Sequence, residues 1–206
     1  NLAFFGGNSV LCVVPMLPAG NGTPNRATRR EGFFLPVSGK IPEAVKRKMV
    51  NQKDFEPNMG PDGARLMGAR LDTSGKGGGG GRGSGDWTCA QPGHWLFEGT
   101  GMKKGDSVKG LIGWEWHGAP AMDLPGMSVV AEGAPFINGK EMGRYTSTLY
   151  DGPKDNIVFN AATIWWANGL SSPPGHVNPS RHGVTQQGPD MRVQKITDNL
   201  FQRIIS

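Results

Sequence analysis

A run of four apolar residues, Leu2-Ala-Phe-Phe5, leads straight into Gly6-Gly7. The run is too short for a helix and has no polar alternation, so it reads as a strand covered on both faces. A doubly covered strand predicts an α/β protein with a mostly parallel sheet, in which reactive groups gather at the carboxyl ends of the strands. Such a strand at the outset also predicts companion strands upstream of Asn1. On that expectation residues 1–206 are a single C-terminal part of a larger α/β domain, seen alone or as a processed subunit.

Composition narrows the classes. With 33 glycines and 16 prolines in 206 residues, and only 19% charged, the chain is loop-rich and globular rather than a helical bundle. No stretch of about 18 apolar residues is present, so no membrane-spanning helix is expected. Cys12 lies in the apolar run Val10-Leu-Cys-Val-Val14 and reads as a small buried thiol. A bridge to Cys89 and two free thiols both suit the sequence. Two cysteines form no disulfide framework, which favours a reducing, cytoplasmic compartment. The net charge of +5 owes most to Arg26, Arg29, Arg30, Lys40, Lys46, Arg47, Lys48 and Lys53. No aromatic residues interleave with them for base stacking, so they read as a solvated basic face or a subunit contact, not a nucleic-acid site.

Along the chain, residues 2–5 and 10–14 read as strands and 15–34 as a loop. Residues 41–50 form a short helix with Pro42 in its first turn. Residues 54–72 are ambiguous. Residues 75–85 are nearly all glycine, and the 74–86 segment is expected to be a mobile surface loop that touches no ligand. The segment 15–86 is thus a loop-rich, basic and glycine-rich insertion. Farther on, 94–98, 109–116, 128–131, 145–150 and 156–159 read as strands between Gly, Pro and Asp turns. Residues 161–168 read as a helix and 173–188 as a loop. Residues 190–205 form the clearest helix, with Val193, Ile196, Leu200 and Ile204 on one face and Asp190 at its start. Together these suggest the closing layer of an α/β sandwich carrying a β-rich elaboration.

One constellation is dense enough to carry chemistry: Gly110-Leu-Ile-Gly-Trp-Glu-Trp-His-Gly118. If 109–116 is one strand, Trp114 and Trp116 share a face and Glu115 points the other way. Buried there, Glu115 would suit proton transfer near neutrality; the same pattern also suits a strand-end carboxylate in solvent or paired to a lysine. His94 and Glu98 would share a strand face, but two ligands without a third make weak evidence for a metal. His176 and His182 fall in a polar loop. Trp165-Trp166 reads as packing for the 161–168 helix, one ring buried and one near a pocket rim or interface.

Three of these strings, His94-Trp-Leu-Phe-Glu-Gly-Thr-Gly-Met102, Gly110–Gly118 and Ile157-Val-Phe-Asn-Ala-Ala-Thr-Ile-Trp-Trp166, resemble the C-terminal region of the large (beta) subunit of the N,N-dimethylformamidase family. Asp190-Met-Arg-Val-Gln-Lys-Ile-Thr-Asp-Asn-Leu200 continues the resemblance. Residues 1–8 resemble the family's strand that follows its His-Pro-Glu-Tyr-Trp segment, whereas 15–86 matches poorly. The resemblance implies a fold like that of class I glutamine amidotransferases, here a partial parallel sheet between helices. It implies a mononuclear iron held by tyrosine and glutamate side chains. Those ligands would lie upstream of Asn1, leaving no metal ligands in this chain and no iron bound by the chain alone. Only the acid/base glutamate carries over, onto Glu115.

The reading is therefore the C-terminal part of a dimethylformamidase-like amidohydrolase. Metal-activated water would cleave the C–N bond of a small formamide or related amide. Glu115 is the catalytic residue, and Trp114, Trp116, His117 and Asn160 line the substrate pocket. The expected partners are the upstream polypeptide of the same enzyme and further copies in a homo- or hetero-oligomer. The alternative is a non-catalytic binding or assembly module with the same fold and an incomplete site.

Overall fold

The computed structural model describes residues 1–7, 9, 16–28, 63–71 and 82–206. The helix expected at 41–50, the strand at 10–14, Cys12 and most of the glycine-rich 75–85 segment lie outside the described residues. The chain divides into two compact units, residues 10–62 and residues 1–9 with 63–206. Within 10–62, strands β2 (Met16–Leu17) and β3 (Ala27–Thr28) pair antiparallel.

The larger unit is β-rich. Strand β1 (Leu2–Phe4) is followed after the second unit by the short helix α1 (Gly63–Met67) and by β4 (Ala69–Leu71) and β5 (Gly85–Thr88). Then come β6 (Ser107–Ile112), β7 (His117–Pro120), β8 (Ser128–Gly133), β9 (Phe136–Ile137), β10 (Lys140–Glu141), β11 (Tyr145–Asp151) and β12 (Ile157–Asn160). A hairpin, β13 (Ser180–Arg181) with β14 (Val184–Thr185), precedes the terminal helix α2 (Met191–Ile205).

The main sheet has the order β1-β12-β11-β8, and only β1–β12 is parallel. Among the described residues this sheet is mixed rather than mostly parallel. Among the described residues β1 stands at the sheet edge, with Leu2 exposed and Ala3 and Phe4 half-buried. Apolar content alone does not separate a covered strand from an edge strand whose one face lies on the core. Strand β11 is buried through six of its seven residues because its hydroxyls meet backbone carbonyls. Thr146 donates to Gly118, Ser147 to Asn160 at 2.6 Å, and Tyr150 to Leu66 at 2.9 Å.

The core is aromatic. Trp166 packs edge-on against Trp87 and Phe159, with ring centroids 5.4 and 5.7 Å apart, and stacks on Phe5 at 6.0 Å. Its indole N–H donates to the Thr197 hydroxyl at 3.1 Å, which ties the cluster to α2. That helix forms as expected, with Val193, Ile196 and Leu200 buried and the Asp190 carboxylate accepting from the Arg192 N–H at 2.8 Å.

Three expectations fail for local reasons. Residues 94–98 are not a strand: Trp95–Phe97 is a 3-10 turn whose first N–H groups are met by His94, Nδ1 accepting from Leu96 at 3.2 Å. Residues 161–168 are not a helix. Ala162 is left-handed (φ 59°), and only Trp166–Gly169 forms a 3-10 turn. Finally, the end of the glycine-rich segment is built into the fold. Gly83, Ser84 and Gly85 are buried, Ser84 exchanges backbone bonds with Phe136, and Gly85 opens β5. A Cβ on Gly83 would meet Met142 at 3.1 Å, so glycine there serves close packing rather than mobility. Cys89 is a free, buried thiol.

Candidate functional site

Because β1 and β12 run parallel, their carboxyl ends emerge side by side, Phe4 opposite Asn160. The Ala161 N–H donates to the Phe4 carbonyl at 2.9 Å and extends the pairing into the loops beyond. Three segments meet there: Gly6-Gly7 after β1, the β6–β7 turn at Gly113–Trp116, and Asn160–Thr163 after β12.

The β6–β7 turn carries Glu115. Strand β6 stops at Ile112 and β7 starts at His117, so 109–116 is not the continuous strand that alternation predicts. Glu115 is left-handed, with φ 59°. Asn and Asp tolerate that conformation in turns, whereas in a glutamate it costs on the order of 1–3 kcal/mol and is held by its surroundings. On one side the turn is fixed at Gly113. Its N–H donates to the Thr163 hydroxyl at 2.9 Å, and a Cβ there would stand 2.7 Å from the Trp165 ring. The Thr163 hydroxyl also donates to the Leu111 carbonyl at 2.7 Å and accepts from the Trp165 N–H at 3.0 Å. On the other side Glu115 lies against Gly7, where a Cβ would come 2.3 Å from the Glu115 Cβ and 2.7 Å from its Oε2.

That contact makes a prediction. Gly7→Ala must displace Glu115 or the β1 end, at a cost of about 1–3 kcal/mol, the usual cost of overpacking. Urea denaturation reads the loss; an alanine variant as stable as the parent would show that the two segments separate easily.

Beneath Gly7 lies His117, fully buried. Its Nε2 stands 2.5 Å from the Gly7 carbonyl and its Nδ1 2.8 Å from Asn160 Oδ1. The Asn160 amide is oriented by its neighbours, Oδ1 accepting from the Ala162 N–H at 2.9 Å and Nδ2 facing the Ala69 carbonyl at 3.5 Å. Both ring nitrogens therefore face oxygen acceptors, and only a charged ring, with two N–H groups, serves both. Burial works the other way and is the larger influence, so the His117 pKa lies below its ordinary value despite the bonds to Asn160 and Gly7.

A folded-state pKa below the unfolded value of about 6.5 means that the unfolded chain binds the proton more tightly. The neutral ring's contribution to stability is thus complete above about pH 6.5 and declines as pH falls below it. Burial depresses His94 and His182 in the same direction. His117→Gln should flatten the fall in urea stability between about pH 7.5 and about pH 5.5. An unchanged slope would assign it to the other histidines.

The expected site residues thus separate. His117 and Asn160 bond to each other below the surface. Trp116 turns into the core, its indole N–H donating to the Arg82 carbonyl at 3.0 Å. Trp114 and Glu115 remain half-buried at the turn. Among the described residues, no group of three or more His, Cys, Asp or Glu side chains could hold a metal ion. His94 Nδ1 is engaged by its own turn and Glu98 is exposed. The described residues do not fit the iron that the resemblance implies. No described helix is long and apolar enough to cross a membrane.

Sequence reasoning missed Gly7, Gly113 and Thr163, which hold the turn. The signal available for the first two was glycine beside large side chains in a motif. Thr163, two residues before a tryptophan pair, gave none.

A family model described as N,N-dimethylformamidase beta subunit-like, C-terminal, matches residues 1–181. The match runs through 15–86, where the sequence shows none of the family strings, and stops short of α2. No curated protein matches the chain. With most of its length matched, the chain belongs to the N,N-dimethylformamidase beta subunit-like, C-terminal family.

Proposed function

We propose that the chain is the C-terminal part of an amidohydrolase that cleaves the C–N bond of a small formamide or related amide. The observation that carries the reading is Glu115, held left-handed against Gly7 at the carboxyl ends of β1 and β12. A costly backbone conformation at a carboxylate, where a strand pair delivers its loops, is the pattern of a residue positioned for chemistry. Family membership over residues 1–181 supports the substrate class.

In this reading water adds to the amide carbonyl carbon and the C–N bond breaks. Glu115 accepts the proton released by the water and delivers it to the departing nitrogen, leaving a carboxylic acid and an amine. Trp114 supplies an apolar wall beside the turn for N-alkyl groups. The iron ligands belong to polypeptide outside residues 1–206, and the subunit wording of the family description supports an assembled enzyme.

The test is to isolate the protein in its native assembly and measure amine release from N,N-dimethylformamide and other small amides. Intact mass and elemental analysis on the same material identify accompanying polypeptide and metal. Release of amine by the assembly supports the reading. An assembly that carries iron yet releases no amine from any small amide would leave a binding or assembly role instead.

A further inference from the structure

The Gly6-Gly7 loop after β1 is gripped twice by one short stretch of chain. Glu115 lies against Gly7, where a Cβ would stand 2.3 Å from the Glu115 Cβ. Two residues on, His117 opens β7 and reaches the same glycine, its Nε2 2.5 Å from the Gly7 carbonyl oxygen. That oxygen also accepts from the Ser9 N–H at 2.7 Å, a bond within the loop itself that does not fix the loop against β7. Strand β7 is a firm base for the grip. It pairs with β4, Leu71 opposite His117, and the Thr146 hydroxyl of β11 donates to the Gly118 carbonyl. A softer contact lies beside it: Arg181, exposed on the β13–β14 hairpin, lays its guanidinium carbon 4.1 Å from the Trp114 ring centroid.

The distances place the proton of the His117 ring. Two acceptors with no hydrogen between them do not approach to 2.5 Å, so Nε2 carries an N–H directed at Gly7. On the other side of the ring, Nδ1 stands 2.8 Å from Asn160 Oδ1. The Ala162 N–H donates to that oxygen at 2.9 Å, which fixes the end of the amide that faces the ring. Asn160 Oδ1 therefore keeps a donor whether or not Nδ1 carries a proton. The Gly7 contact is the shorter and takes the proton first. Because the ring is fully buried, no solvent competes for its N–H.

We propose that His117 is a positioning residue for Glu115: its Nε2–H holds the Gly7 carbonyl, and so holds the surface against which the Glu115 side chain is seated. The histidine touches no substrate in this role and acts through Gly7. The role rests on Glu115 as the proton-transfer residue, whereas the seating itself is a structural state that is read without turnover.

The first test is nitrogen NMR of the His117 ring in the full chain at neutral pH. Nε2 should carry a proton; a bare Nε2, with the proton on Nδ1 alone, would overturn the proposal. Two substitutions of similar volume then separate a donor from a filler. His117→Gln presents an amide N–H where Nε2 stood, and His117→Met presents none. The carbon resonances of the Gly7 carbonyl and of Glu115 Cα should move in the methionine chain and return most of the way in the glutamine chain. In the native assembly His117→Met should lower kcat for amine release by about 10-fold or more with KM within about 2-fold, the signature of a misplaced reacting group. His117→Gln should recover most of that loss. A histidine that only fills space would give both variants the same kcat and the same resonances, and that result would also overturn the proposal. An assembly that releases no amine defeats the amide reading alone, and the ring proton and the carbon resonances still decide how Glu115 is seated.

Discussion

Glu115→Gln is expected to lower amide turnover in the assembled enzyme by about 100-fold or more, the usual worth of a positioned acid or base. Glutamine keeps the side chain's length and can occupy the same turn against Gly7, but it cannot take a proton from water and return it to an amine. The left-handed backbone costs glutamine no more than glutamate, so urea stability should stay within about 0.5 kcal/mol of the parent. The pair of results is diagnostic: lost turnover at unchanged stability assigns chemistry to the carboxylate. Parent-like turnover in the glutamine enzyme would make Glu115 a purely structural turn residue.

Trp166→Ala should give the largest loss of stability, about 3–5 kcal/mol, in the range measured for truncating a buried tryptophan. The indole is 1% exposed and touches three other aromatic rings, so nothing small can refill the space. Removing it also strands the buried Thr197 hydroxyl as an acceptor, although that hydroxyl keeps its own donation to the Val193 carbonyl at 2.8 Å. Trp166→Phe retains a ring and should lose roughly half as much. Urea denaturation of both variants checks the order. An alanine variant within about 1 kcal/mol of the parent would mean the cluster collapses onto the cavity.

The elements legible in the sequence are those whose own periodicity matches their packing. Val193, Ile196 and Leu200 form a helical stripe, and that stripe is buried. Strands β8, β11 and β12 sit within two residues of where turn residues and β-branched runs place them. Elements set by tertiary contacts were not legible. The 161–168 segment has helical composition, but Asn160 and Thr163 offer side-chain acceptors to the Ala162 and Trp165 N–H groups and satisfy them without a helix. Alternation placed Glu115 in a strand because its left-handed turn uses a residue type that does not advertise one. The site's location at strand ends was readable from the apolar run before Gly6-Gly7; the hairpin that brings Arg181 to Trp114 was not, since its residues read as a featureless polar loop.

The pairing of β1 with β12 also fixes an order of events during synthesis. Leu2 lies opposite Val158, and the Asn1 side chain accepts from the Ile157 N–H at 2.9 Å, so the first strand waits for a partner made some 150 residues later. At ribosomal rates of about 5–20 residues per second that wait is on the order of 10–30 s. Until then the edge of β1 that β12 will cover is a template for wrong partners. The β1–β12 pair of the larger unit cannot form before β12 has been made. Its long-range pairing makes it a slow-folding topology that depends on completion of β12, and on shielding of Leu2–Phe4 until then.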